Sequence, residues 1–106
     1  MTKEEEVRSR TRAAVLKAMG HPTRMFIIEK LNEEPHCVCE LTEMIGADTS
    51  TVSKHLSVLK NAGLVTDTKE GTMVRYALSC SCIMEFIGCI ETVIRKNLEK
   101  QLEYFN

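Results

Sequence analysis

Apolar residues recur every three or four positions along most of the chain, and this spacing predicts helices. Between residues 64 and 78 the pattern changes to two short runs rich in β-prone residues, which predict strands. Glycine or proline stands at most of the boundaries, as expected where helices end or begin. The five predicted helices cover about Glu4–Met19, Pro22–Leu31, Val38–Ile45, most of Ala47–Val65, and Ile83–Phe105.

The fourth of these helices has two contrasting faces. Val52, Leu56 and Leu59 share its apolar face, while the opposite face is small, polar and singly basic. Asp48 or Thr49 is suited to cap its first turn, and Gly63 ends it. Short hydroxyls and one cation suit a DNA major groove, although an ordinary surface helix is the alternative. The short helix and tight turn before it complete a helix-turn-helix, which favours the DNA interpretation.

The two β-prone runs, Leu64–Lys69 and Thr72–Leu78, flank a Glu70-Gly71 tip and predict a hairpin. A hairpin directly after a recognition helix forms a wing. Lys69 and Arg75 on this wing are predicted to contact DNA phosphates, and a solvated hairpin is the alternative.

The last helix carries more apolar surface than a domain of this size needs. Its 22 or so residues would extend about 33 Å, and the excess favours pairing with a second copy, although packing wholly on its own monomer is the alternative. We therefore predict a mainly α winged helix-turn-helix of about five helices with a β-hairpin wing. It forms one domain over residues 1–106 and a homodimer through its terminal helices, with a dimerisation helix at about 83–105.

Composition excludes several classes of function. The net charge is −1, so any DNA binding depends on local patches and shape rather than on bulk basicity. The first residues lack the apolar core of a signal peptide and no apolar run approaches a membrane span, so we expect a cytoplasmic protein without a membrane partner. No phosphate loop or catalytic constellation is present, so we expect neither an enzyme nor an organic cofactor or substrate. The five cysteines favour reduced thiols over a disulfide framework.

The chain resembles the arsenic-repressor (ArsR/SmtB-type) family of metal-responsive repressors. The resemblance rests on His21-Pro22-Thr23-Arg24, on Val52-Ser53-Lys54-His55-Leu56, on Ala62-Gly63-Leu64-Val65 and on Arg75-Tyr76-Ala77-Leu78. It implies a homodimeric winged-helix protein that binds operator DNA when empty and releases it when an effector binds. His55 has an alternative role, a hydrogen bond inside the domain. The predicted DNA contacts are Thr49, Ser50, Thr51, Ser53, Lys54, His55, Ser57, Lys69 and Arg75.

Cys37 and Cys39 are the predicted effector ligands. Two thiols one residue apart at a helix start can converge on one ion, and the helix dipole is expected to lower their pKa. Thiolates favour soft ions. The segment resembles the arsenic-sensing motif C-V-C-x-L-C, except that Thr42 replaces the third cysteine. The predicted effector is trivalent arsenic or antimony, with cadmium, lead or zinc as alternatives.

Several alternatives concern the remaining thiols. Cys80 and Cys82 form a second Cys-x-Cys and are either additional ligands or bystanders, while Cys89 is expected to pack in the core. Zinc is disfavoured on the last helix, which has no histidine. A thiol redox or reactive-sulfur sensor of the same fold, with a disulfide or polysulfide between distant cysteines, is the alternative function. His36 is expected to be a solvated turn residue.

Overall fold

The computed structural model describes residues 1–105, and the predicted helices and hairpin are confirmed in it. The elements, in chain order, are α1 (Lys3–Met19), α2 (Pro22–Glu33), β1 (His36–Cys37), α3 (Val38–Ile45), α4 (Thr49–Asn61), β2 (Val65–Glu70), β3 (Met73–Leu78) and α5 (Cys82–Glu103).

Local chemistry sets the limits of the two helices in the helix-turn-helix. Asp48 caps α4, because its carboxylate accepts the backbone N–H of Thr51 at 2.7 Å. Gly46 ends α3 with φ 77°, and Gly63 follows α4 with φ 79°. This left-handed conformation strains residues that carry a Cβ atom, so glycine at both positions fixes where each helix stops.

The core lies among α2, α3, α4 and the base of the hairpin. Its fully buried side chains are Ile27, Ile28, Leu41, Val52, Leu56 and Leu59. The two terminal helices add only a few residues to it, namely Ala18 and Met19 at the end of α1 and Ile87 near the start of α5. Most of α1 and the second half of α5 therefore project beyond the core.

The sheet has three antiparallel strands in the order β1-β3-β2, of which only the hairpin was predicted. Val65 lies opposite Leu78 and Glu70 opposite Met73 in the hairpin. The added strand β1 places Cys37 opposite Arg75. A strand of two residues is too short to show an alternating pattern, and its partner is distant in sequence, so sequence periodicity gave no signal for it.

None of the helices within residues 1–105 has the length and apolar character to cross a membrane.

Candidate functional site

The polar face of α4 is open to solvent, as a recognition helix requires. Its apolar side, formed by Val52, Leu56 and Leu59, is fully buried. The carboxylate of Asp48 accepts hydrogen bonds from the Thr51 backbone N–H and, at 2.8 Å, from the Ser50 hydroxyl. These bonds, that from Thr51 first, lower the pKa of Asp48 to about 2. The predicted DNA-contact residues Thr49, Ser50, Thr51, Lys54 and Ser57 are exposed, and Ser53 is half-buried.

His55 differs from the other predicted contacts on α4. It is half-buried, and its Nδ1 lies 3.2 Å from Nη1 of Arg24 on α2. Its ring also faces the ring of His21, with centroids 4.4 Å apart. The imidazole is therefore held inside the domain in this structure, which agrees with the alternative role stated for it above.

The two predicted phosphate-binding cations of the wing, Lys69 and Arg75, have different surroundings. Lys69 is exposed on β2. Arg75 on β3 is half-buried and forms an ion pair with Glu70, Nε to Oε2 at 3.2 Å, which raises the pKa of Arg75. A second ion pair, between Lys60 on α4 and Asp67 on β2 at 2.9 Å, ties the recognition helix to the wing. Lys60 and Asp67 were not singled out from the sequence, because no spacing rule connects a helix to the strand that follows it.

Cys37 and Cys39 stand one residue apart at the junction of β1 and α3, with Cys37 at the cap position of that helix. Cys37 is buried at 3 % exposure, whereas Cys39 is exposed. The prediction that the helix start lowers the thiol pKa was wrong for Cys37. Its pKa is raised, first by its hydrogen bond with the Cys39 thiol, then by burial, and then by its hydrogen bond to Glu40.

Glu40 is the residue at this junction that sequence reasoning missed. Its carboxylate accepts hydrogen bonds from Nδ1 of His36 at 3.0 Å and from the Cys37 Sγ at 3.1 Å. These bonds, that from His36 first, lower the pKa of Glu40 to about 2. The spacing of Cys37 and Glu40 is that of a capping box, with Cys37 at the cap position, and could have pointed to the contact. His36 is 5 % exposed, so its expected role as a solvated turn residue was wrong.

The other cysteines also depart from expectation. Cys80 and Cys82 form a disulfide with each other, with Cα atoms 5.3 Å apart, and in this form neither sulfur is free to bind an ion. The expectation of five reduced thiols therefore fails for this pair, because two residues so close in one turn fall within the span of a disulfide. Cys89 is free and exposed on α5, not packed in the core. Within residues 1–105, no three His, Cys, Asp or Glu side chains are arranged to hold a metal ion.

An apolar face of α5 remains uncovered in the single chain. Its exposed large side chains are Phe86, Val93, Ile94, Leu98 and Leu102, with exposures from 42 % to 58 %. Val7 and Leu16 on α1 are exposed as well. A shallow apolar groove of about 450 Å³ between α1 and α5 joins the two surfaces.

Comparison with known proteins agrees with this architecture. Residues 21–67, from the start of α2 into β2, match the family model described as bacterial regulatory protein, arsR family. An HTH-type transcriptional regulator of Methanocaldococcus jannaschii, MJ1325, is 36 % identical over 80 residues, which cover 74 % of this chain and 90 % of that protein. A CadC homolog of Staphylococcus aureus, a cadmium resistance transcriptional regulatory protein, is 37 % identical over 76 residues, 71 % of this chain and 63 % of that protein.

Among solved structures, the homodimeric winged helix-turn-helix DNA-binding domain of Mb0332 from Mycobacterium bovis has the same fold. It superposes with a TM-score of 0.80 at 24 % identity, covering 94 % of this chain and 93 % of that domain. The winged helix-turn-helix predicted from the sequence is thus confirmed. The matching family consists of DNA-binding transcriptional regulators rather than enzymes. The chain belongs to the ArsR family of bacterial regulatory proteins.

Proposed function

We propose that this regulator is a metal(loid)-responsive repressor that binds operator DNA as a homodimer and releases it when a soft ion binds Cys37 and Cys39. The observation that carries the proposal is the position of two free thiols, one buried and one exposed, at the β1–α3 junction where the helix-turn-helix of an ArsR-family chain begins. The CadC homolog, named for cadmium resistance, supports a metal effector in general.

The DNA-binding surface of the proposal consists of α4 and the wing. Its contact set is Thr49, Ser50, Thr51, Ser53, Lys54 and Ser57 on α4, with Lys69 and Arg75 on the wing. His55, the other residue predicted for this surface, is bound to Arg24 inside the domain. Since the net charge is −1, binding depends on these local groups. Glu70 engages only Nε of Arg75 in the free chain, which leaves the Nη groups of Arg75 to donate to a DNA phosphate.

The homodimer of the proposal forms through α1 and α5. The radius of gyration is 16.8 Å, larger than the about 13 Å of a compact domain of this length, because these helices extend beyond the core. A second copy that covers the apolar groove would bury Leu16 and Phe86, and one that extends along α5 would also bury Val93, Ile94, Leu98 and Leu102. A two-fold pair presents two α4 helices to half-sites one turn of DNA apart, about 34 Å. The Mb0332 domain, of the same fold, is homodimeric.

The ligand atoms present in the chain determine which ions are candidate effectors. Cys37 and Cys39 would hold the ion, and two thiolates fit soft ions better than magnesium or calcium. Trivalent arsenic or antimony, cadmium, lead and zinc are the candidates. A three-sulfur site is not offered, because Thr42 occupies the position of the motif's third cysteine. Because a relative is named for cadmium resistance, cadmium is the first ion to compare with arsenite in the experiment.

The link from the thiols to the DNA surface runs through contacts of Glu40. Its Oε1 accepts hydrogen bonds from both the Sγ of Cys37, at 3.1 Å, and the Cys37 backbone N–H, at 3.3 Å, and so fixes the first turn of α3. Ligands to an ion must lose their thiol protons, so binding removes the Sγ–H bond to Glu40. α3 is joined to α4 by the short turn at residues 46–48, and β1 pairs with wing strand β3. A coupling of about 1–3 kcal/mol between effector and DNA is typical.

Fluorescence anisotropy tests the proposal. The probe is a labelled 30-base-pair duplex chosen from a random library by its binding to this protein, and the titrants are arsenite, antimonite, cadmium, lead and zinc under reducing conditions. We expect at least one ion to release the wild type but not the Cys37→Ser/Cys39→Ser double variant. Cys89→Ser, which removes a free thiol elsewhere, is the matched control and should behave as wild type. Equal release of wild type and double variant would sink the proposal.

The redox alternative with a disulfide between distant cysteines gains no support. Cys80 and Cys82 are paired with each other, while Cys37 is buried. A redox link across the domain would require the Cys80–Cys82 pairing to break first.

A further inference from the structure

The guanidinium of Arg24 contacts two other helices at once. Its Nε donates to the carbonyl of Ala18 at 2.5 Å and its Nη2 to that of Lys17 at 3.5 Å, both at the end of α1. The last carbonyls of a helix lack i+4 partners within the helix. Arg24 supplies a donor to that of Ala18, while that of Lys17 also accepts the Gly20 backbone N–H. Its Nη1 reaches Nδ1 of His55 at 3.2 Å on α4. One side chain on α2 therefore joins the end of α1 to the middle of the recognition helix.

The direction of the Arg24–His55 bond fixes the proton on the imidazole. A guanidinium only donates hydrogen bonds and stays protonated at all ordinary pH values. Nδ1 of His55 must therefore be the acceptor, which leaves the ring neutral with its proton on Nε2. A protonated His55 carries hydrogen on both nitrogens and cannot accept this bond.

The surroundings of His55 also disfavour its charged form. His21, which caps α2, and Arg24 in its first turn both face the His55 ring. The end of α1 lies on the other side of Arg24, whose Nε donates to the Ala18 carbonyl. The carboxylates of Glu40 on α3 and Asp67 on β2 are bound to other groups. Nowhere in residues 1–105 does a carboxylate pair with either the His21 or the His55 ring. Burial first, then the charges of His21 and Arg24, lower the pKa of His55.

We propose that Arg24 and neutral His55 are positioning residues for DNA binding. They hold the recognition helix against the C-terminal end of α1 and the N-terminal end of α2. His55 then serves DNA binding from inside the domain rather than by touching DNA. α1 also carries part of the proposed dimer surface. The contacts of Arg24 therefore link the position of the dimer interface to the orientation of α4. The inference rests on the proposed DNA binding by α4 but is independent of the metal effector.

The proposal and a direct DNA contact by His55 predict opposite effects of pH. If His55 touched phosphate, acidification would add a positive charge at the interface and strengthen binding. If His55 positions α4, acidification protonates Nδ1, breaks the bond to Arg24 and weakens binding. We expect the wild-type affinity to fall between pH 7.5 and 5.5, by less than the roughly tenfold that an imidazole with the ordinary pKa of about 6.5 would give, because the pKa of His55 is lowered.

The test measures anisotropy with the selected 30-base-pair duplex at both pH values and constant ionic strength. His55→Asn is the informative variant, because its amide oxygen can accept from Arg24 but cannot be protonated in this range. We expect it to bind within about threefold of wild type at pH 7.5 and to lose the pH dependence that histidine titration causes. Lys54→Ala, on the exposed face beside His55, should weaken binding equally at both pH values. A wild-type affinity that rises on acidification, or a His55→Asn profile as steep as wild type, would overturn the proposal.

A second measurement needs no variant and no DNA. Nitrogen-15 chemical shifts of the imidazoles in wild-type protein at pH 7.5 distinguish the two neutral tautomers. We expect His55 to carry its proton on Nε2. A proton on Nδ1 would overturn the positioning role, whereas loss of all duplex binding with the expected tautomer would instead count against DNA binding by α4.

Discussion

Leu98 offers a direct test of the surface through which two copies are proposed to pair. Its side chain lies on the apolar face of α5 and is 53 % exposed in the single chain. Complete burial of a leucine side chain contributes about 1.5–3 kcal/mol, so covering the exposed half contributes about 1 kcal/mol per protomer. A two-fold dimer buries this residue twice. The Leu98→Ala variant should therefore lose about 2 kcal/mol of association free energy, which weakens dimerisation by roughly 30-fold.

Sedimentation velocity over a range of concentrations measures the monomer–dimer dissociation constant. The matched control is Lys96→Ala on the same helix, because residue 96 points about 160° away from residue 98 at 3.6 residues per turn. We expect the control to keep the wild-type dissociation constant. An unchanged constant for Leu98→Ala, or equal weakening in both variants, would refute the assignment of this face of α5 to the interface.

Four further perturbations test the fold and the DNA surface. Leu56→Ala removes a fully buried side chain of α4 and should lower the free energy of unfolding in urea by about 2–5 kcal/mol. Gly46→Ala meets no heavy atom within 4 Å but must adopt φ 77°, and should cost about 1–2 kcal/mol in the same assay. Lys69→Ala should reduce the salt slope of DNA binding by about 0.9 per protomer if it contacts one phosphate; an unchanged slope would exclude that contact. The pKa of His55 is lowered by folding, so the unfolded chain binds the proton more readily. Its contribution to stability is full above about pH 6.5 and is lost as the pH falls through the lowered value, so acid should reduce the melting temperature of wild type more than that of His55→Asn.

The helix-turn-helix was predictable because its signals are local. The cap at Asp48, the glycines at 46 and 63 and the apolar spacing of Val52, Leu56 and Leu59 all act within one or two turns. Each agrees with the final structure, as expected when local preference and tertiary packing favour the same conformation.

The surroundings of the thiols were predicted less well. The sequence placed Cys37 and Cys39 next to one another, but it pointed to a lowered thiol pKa at a helix start. The opposite holds for Cys37, because the Cys39 thiol first, and then burial of the side chain on strand β1, raise its pKa. The contacts of Glu40 with His36 and Cys37 span only four and three residues, so here the capping-box spacing was a local signal that was not used.

The sequence by itself determined the order and limits of the helices, the hairpin, the polar face of α4, the thiol pair and the surplus apolar length of α5. Only the tertiary structure decided that His55 faces Arg24 and that β1 joins the wing to the thiol pair. The physical reason is the range of the interactions. Periodicity and capping depend on residues a few positions apart, whereas the partner of a half-buried side chain is chosen by whichever distant segment the fold brings against it.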